Sequence, residues 1–272
     1  MEVIISHIQA DFDAFASMIA AKMLYPDAVL VFPGAQEKNL RDYLARAPKE
    51  ITGSIVRQKD VPLDKITKLV IVDTRQISRI GEFSKIIGRE GVEVVVYDHH
   101  PCSGEDFTAM EEHCIELGSN VAVMVKILKE KGITPSPAQA TVMAMGVYED
   151  TGNLLFPSTT PEDSMALADL IRWGADLTEV SQAILRDLDA NQVDVLDQLI
   201  KNASILHISG IDVLFTRSES SVYIEDFAML VHKLRGMFNV DAMFALGLMG
   251  ERIYLVARST LPQINADRKS VV

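Results

Sequence analysis

Four groups of acids and histidines stand out because each falls at the end of an apolar run or a helix-like stretch. Val3-Ile4-Ile5-Ser6 leads into His7, with Asp11 and Asp13 just beyond. Val70-Ile71-Val72 ends in Asp73, and Val94-Val95-Val96-Tyr97 ends in Asp98-His99-His100. Glu149-Asp150 closes a helix-like stretch near Tyr148 and opens the loop Asp150-Thr151-Gly152-Asn153. Singly, each has an ordinary explanation. Asp13 or Asp73 can cap a helix N-terminus, adjacent loop histidines are usually solvated, and Glu149-Asp150 can simply end a helix. Their conjunction points instead to one pocket, where carboxylates this crowded repel one another unless cations neutralise them. The donors on offer are carboxylate oxygen and imidazole nitrogen, with no thiolate. That set suits Mn2+ or Mg2+ better than a structural zinc, and manganese is preferred because histidine is a poor partner for magnesium. Two such ions about 4 Å apart can clamp the attacking and leaving oxygens of a phosphoryl displacement and acidify a bridging water.

The elements that must position these residues follow from hydrophobic periodicity. Strands are expected over Val3–Ser6, Ala28–Phe32, Lys68–Val72 and Val92–Tyr97. Helices are expected over Ala14–Leu24, Gln36–Ala47, about Arg79–Arg89, Asn120–Lys131, Pro137–Tyr148 and Pro161–Trp173. Strands apolar throughout, alternating with helices, predict an α/β fold with a mostly parallel sheet covered on both faces. Ligands of such sheets bind outside the carboxyl ends of the strands, which is where the acids and histidines fall. Leu177–Leu206 reads as helical, and a linker helix over 186–209 is expected to join a first domain (1–185) to a second, smaller α/β domain (210–272). In that second domain Ile211–Phe215 reads as a strand and Ile224–Phe238 as a helix. Ala242–Leu248 and Arg252–Ala257 read as a hairpin across Met249-Gly250-Glu251.

A chain of 272 residues with 48% hydrophobic and 24% charged residues has the balance of a globular protein with a large core. With 26 basic and 38 acidic residues its formal charge is −12, which argues against a grip on duplex DNA. It leaves room for a short oligonucleotide, or a phosphate held through cations. No apolar run approaches the ~20 residues of a membrane span. No export signal is evident, so a cytoplasmic location is expected. Cys102 and Cys114 lack metal-motif spacing and read as free thiols.

The run His7-Ile8-Gln9-Ala10-Asp11-Phe12-Asp13-Ala14 resembles the first motif of the DHH phosphoesterases, with Ala10 where that family usually has proline. Val72-Asp73-Thr74 resembles the second motif, Asp98-His99-His100 the signature that names the family, and Asp150-Thr151-Gly152 the fourth. The resemblance implies that His7 and Asp11 hold one ion, that Asp13, His99 and Asp150 hold the other, and that Asp73 bridges both. It implies further that Asp98 orients His99 and that His100 touches the substrate phosphate. Pro33-Gly34-Ala35-Gln36-Glu37-Lys38-Asn39 and Tyr148 to Thr160 are similar to DHH domains fused to CBS and tRNA nucleotidyltransferase or poly(A) polymerase domains. On that reading this chain is the front part of a larger one. The second domain resembles the start of the DHHA1 substrate-binding domain, in which Arg258 of Ala257-Arg258-Ser259 would contact a substrate phosphate. The family's glycine-rich Gly-Gly-Gly-His loop does not follow; after Asn265 the chain reads Ala266-Asp267-Arg268-Lys269-Ser270-Val271-Val272, read as a truncated or altered end.

The leading expectation is therefore a hydrolase of phosphodiester bonds in short oligonucleotides or nucleotide derivatives, using two divalent cations. The alternatives are polyphosphate or pyrophosphate hydrolysis, and a non-catalytic nucleotide-binding module of an RNA-processing nucleotidyltransferase. Homodimers are frequent among proteins of this kind, and one is allowed here.

Overall fold

Strands lined with β-branched residues on both faces can form only where both faces are covered. The computed structural model describes residues 1–259 apart from 105, 185–187, 209, 226 and 239, together with 270 and 271. It divides into two units, Met1–Arg186 and Asp187–Val272. The first unit is built on strands β1 (Glu2–Ile5), β2 (Val29–Val31), β3 (Lys68–Val72), β4 (Glu93–Asp98) and β5 (Glu111–Cys114). They lie in the order β2-β1-β3-β4-β5, and every neighbouring pair is parallel. Ile4 sits opposite Leu30 and Val70, and Val70 opposite Val95, so these residues share one face.

That face packs on helices α1 (Phe12–Leu24), α2 (Lys38–Leu44), the short α3 (Lys49–Thr52), α4 (Asn120–Glu130), α5 (Pro137–Asp150), α6 (Pro161–Arg172) and α7 (Leu177–Ile184). Helix starts are written locally. Asp11 caps α1 and Ser119 caps α4, while Ser136 with Gln139 and Thr160 with Asp163 form capping boxes ahead of Pro137 and Pro161. The opposite face, carrying Val3, Ile5, Leu69, Ile71, Val94 and Val96, is closed by short 3-10 turns. The helix expected over Arg79–Arg89 is replaced by two of these, Ile77–Arg79 and Gly81–Ile86. Ile80, Phe83 and Ile86 recur every third residue, the period of a 3-10 helix, and Gly81 and Gly88 take positive φ, +56° and +77°. Strand β5, Glu111-Glu112-His113-Cys114, has no apolar run; it pairs with β4, stacks His113 on Tyr97 and packs Cys114 against the core.

The expected helical run Leu177–Leu206 is not one element. Helix α7 ends at Ile184, α8 (Ala190–Lys201) begins at the capping aspartate Asp189, and strand β6 (Ser204–Ile208) follows. The second unit continues with β7 (Ile211–Ser220), α9 (Phe227–Met237), β8 (Ala242–Met249), β9 (Arg252–Ser259) and β10 (Ser270–Val271), its sheet ordered β10-β9-β8-β7-β6. Helix α9 lies in the crossover between parallel β7 and β8, and β8–β9 is the expected hairpin, turning at Gly250 with φ +59°. Leu199 of α8 and Leu230 and Leu234 of α9 bury one sheet face with Leu214, Met243 and Ala245. The chain end, read from sequence as truncated or altered, lies outside the described residues except for 270 and 271. Among the described residues no helix is long and apolar enough to cross a membrane.

Candidate metal centre

The C-terminal ends of β1, β3 and β4 deliver their polar residues to one rim, and α1 and α5 add theirs beside it. His7 follows β1 and is buried; its Nε2 lies 3.2 Å from Asp73 Oδ2 and 3.8 Å from Asp11 Oδ2, and its Nδ1 is 2.9 Å from the Ile8 carbonyl. Asp11 doubles as the cap of α1, accepting from the Ala14 amide at 3.0 Å. Asp13, two residues on, is buried and accepts from the first amides of α4, Asn120 at 2.8 Å and Val121 at 3.0 Å. The cap of α1 is thus Asp11 and not Asp13, which binds the start of α4 instead, and both aspartates still converge on the histidines.

Asp73 directly follows β3 with φ +62°, a left-handed conformation that Asp tolerates better than most residues. Its amide donates to the Tyr97 carbonyl at 2.8 Å, which fixes the turn. Asp73 Oδ2 faces His7, and Oδ1 lies 3.4 Å from His99 Nε2. His99 Nε2 is also 3.2 Å from Asp150 Oδ2 and 3.9 Å from Asp13 Oδ2. Helix α5 runs two residues past Tyr148, so Asp150 closes the helix instead of standing in the loop after it.

The role expected for Asp98 is corrected by the geometry. The His99 ring is held by the Leu117 carbonyl, 3.0 Å from Nδ1, whereas Asp98 Oδ1 receives the His99 and His100 amides and the His100 Nδ1 at 2.8 Å. Asp98 therefore aims His100, whose side chain is 45% exposed. Arg75 escaped the sequence reading, and Glu149, named there only as part of the pair that ends a helix, has a contact which that reading did not give. Buried Arg75 donates from Nε to Asp98 at 3.0 Å, and from its terminal nitrogens to the His100 carbonyl at 2.6 Å and to Cys102 Sγ at 3.3 Å. Glu149 accepts the Phe12 amide at 2.6 Å, tying the end of α5 to the start of α1. Ala10, in the family's proline position, donates its amide to the Ala35 carbonyl at 3.2 Å, a bond that proline lacks the hydrogen to make. Arg258 lies near the end of β9 in the second unit, opposite Met243.

Electrostatics follow from burial and crowding. Burial, reinforced by Asp73, raises the carboxyls of Asp11 and Asp13 and pushes Asp150 up to about 7. Burial and nearby Asp11 push Glu149 up to about 8. For His99 burial opposes the charge, but Asp73 and Asp13 outweigh it and raise the ring to about 10. Burial would raise Asp73, yet its hydrogen bond to His7 and the charge of the nearby His99 imidazole hold it well below the usual range.

The donor set fits divalent cations. His7, Asp11 and Asp73 bring one ligand atom each within 4.8 Å of one another, as do Asp13, His99 and Asp150, and as do Asp73, His99 and His100. Buried Asp73 Oδ1 and His99 Nε2 make no hydrogen bond, so two atoms at the middle of the cluster lack the partners that buried polar atoms require.

The sequence profile described as "DHH family, N-terminal domain" matches residues 2–147. The chain is 43% identical over 269 residues to an A-adding tRNA nucleotidyltransferase of Geobacter sulfurreducens, covering 98% of this chain and 30% of that protein. It is 29% identical over 259 residues to the protein of the same name from Aquifex aeolicus, covering 95% and 30%. The chain thus spans about 30% of the length of these curated relatives. Among solved structures, an exopolyphosphatase-related protein from Bacteroides fragilis shares the fold, with TM-score 0.71 at 17% identity over 96% of this chain and 79% of that one.

Proposed function

The chain belongs to the DHH family, and on that premise we propose that it is a metal-dependent phosphoesterase that hydrolyses phosphodiester bonds of short oligonucleotides or nucleotide derivatives. The observation that carries this reading is Asp73, whose two carboxylate oxygens each face a different imidazole, His7 on one side and His99 on the other. His7, Asp11 and Asp73 would hold one divalent cation, and Asp13, His99, Asp150 and Asp73 a second. Bound there, the cations supply Lewis acidity to the phosphoryl oxygens and a nucleophilic water near neutral pH; manganese is the proposed metal.

The chain's own residues do the positioning. The α4 amides fix both oxygens of Asp13, and the Leu117 carbonyl holds the His99 ring so that Nε2 points inward. Asp98 occupies Nδ1 of His100, so Nε2 is the atom offered to a substrate phosphate. Arg75 clamps Asp98 and the His100 carbonyl together, which keeps this histidine at the mouth of the site. By the resemblance to DHHA1 alone, Arg258 is proposed as a phosphate contact.

Mn2+-dependent release of mononucleotides from short RNA, with Asp73→Ala as control, tests the reading. Activity in the wild type and its loss in the variant are expected; equal activity in both overturns it. Pyrophosphate run beside a dinucleotide separates the second reading, polyphosphate or pyrophosphate hydrolysis, which the same cations would serve. The named relatives, much longer than this chain, favour placing it within an RNA-processing nucleotidyltransferase. Tight nucleotide binding without hydrolysis at saturating manganese would select a non-catalytic module of such a protein. A cytoplasmic location and a homodimer belong to the same proposal.

A further inference from the structure

Just past Asp150 the backbone does something that holding a metal does not explain. Gly152, Asn153 and Leu154 lie consecutively at φ +55°, +60° and +64°, where L residues are found singly and a branched aliphatic side chain is out of place. The turn is nevertheless firmly held. Thr151 is buried, its hydroxyl donates to the Val147 carbonyl and accepts the Leu154 amide at 3.0 Å, and its carbonyl accepts the Leu155 amide at 3.0 Å and the Phe156 amide at 2.9 Å.

What this arrangement presents is apolar. Leu155 is 83% exposed and Phe156 53% exposed. The Phe156 ring rests against Gly152 so closely that any Cβ there would collide with it, so the glycine is required for contact as well as for φ. The Cα atoms of Gly152 and Asp150 are two peptides apart, no more than about 7.6 Å. A half-open aromatic ring therefore stands on a strained, well-bonded turn that begins two residues after Asp150 of the candidate metal cluster. Strain of this kind concentrates where ligands are held. A π-face stacks on any nucleobase regardless of sequence.

We propose that Phe156 is a stacking platform for the base of a nucleotide substrate, selecting nucleotide esters over base-free phosphate esters at this centre. The inference rests on the phosphoesterase reading for where the phosphate sits, but the base contact can be read without turnover. It is tested on the full chain with a dinucleotide and its abasic counterpart. In Phe156→Ala the ratio of kcat/KM for the dinucleotide to that for the abasic ester is expected to fall about tenfold, through KM, and to return in Phe156→Tyr. In parallel, the fluorescence of a 2-aminopurine dinucleotide should be quenched on binding to wild type and to Phe156→Tyr, and not with Phe156→Ala. An unchanged ratio, or quenching that is equal in wild type and Phe156→Ala or absent from both, overturns the proposal. If wild type hydrolyses neither ester, the phosphoesterase reading falls, and the quenching alone decides the platform.

Discussion

Asp73 sits directly after β3 in a left-handed conformation, and its oxygens divide between His7 and His99. In the metal-free protein His99 holds its proton to about pH 10, and Asp150 holds one to about 7. A cation must displace those protons, so its binding releases them and its apparent affinity rises with pH. Isothermal titration with Mn2+ between about pH 6 and 9 should show that rise; an affinity independent of pH over this range would contradict the assigned ligands. Arg75 allows a second prediction. Arg75→Ala leaves buried Asp98 without its ion-pair partner, a change that typically costs about 3–5 kcal/mol. Urea denaturation should show a loss of that order, and a loss under about 1 kcal/mol would mean that Asp98 is satisfied without the guanidinium. The clustered candidates were legible because each lies at or just past the end of an apolar run or a helix, a pattern that survives in one dimension. Arg75 and the contact made by Glu149 were not. Their partners are 23 to 27 and 137 positions away in the chain, and no local spacing signals them. Asp98 was found but misassigned, because adjacency in sequence does not say which of two neighbouring histidines an aspartate will reach.

Helices α1, α4 and α5 meet at Gly146, where an added Cβ would come to 2.9 Å from Val121 Cγ2, 3.0 Å from Ala16 Cβ and 3.0 Å from Asp13 Cα. Gly146→Ala gains helix propensity, about 1 kcal/mol in an open site, but here it forces the helices apart. Overpacking of this kind typically costs about 1–3 kcal/mol, and the displaced atom belongs to a metal-ligating candidate. A lower melting temperature together with weaker Mn2+ binding is expected; a stabilised protein with unchanged binding would show that the contact relaxes freely. Most elements of the first unit could be read from sequence, since buried parallel strands and capped helices leave strong patterns. The failures have physical causes. Ile80, Phe83 and Ile86 repeat every three residues, and a helix reading absorbed a 3-10 turn. Strand β5 lies at the sheet edge, where no apolar run is needed. Ile205, Leu206 and Ile208 of β6 were taken for more helix because a short apolar stretch after α8 fits either period.

The molecule carries a formal charge of −12, and the candidate ligands gather several of its acids in the first unit. Cations that bind there and not to the unfolded chain stabilise that unit by mass action, about 2.7 kcal/mol at a hundred times Kd. The single tryptophan, Trp173, packs against the core of the same unit and reports its unfolding. Saturating Mg2+ or Mn2+ should raise the urea midpoint seen by Trp173 fluorescence, and a chelator should lower it; a midpoint indifferent to both would mean that no cation is bound in the folded state. The most direct test is crystallographic. Diffraction from crystals grown with Mn2+, recorded at the manganese absorption edge, should give two anomalous peaks, one bounded by His7 and Asp11, the other by Asp13, His99 and Asp150, with the Asp73 carboxylate touching both. A map with no peak at Asp73, or with manganese held by other residues, would contradict the account.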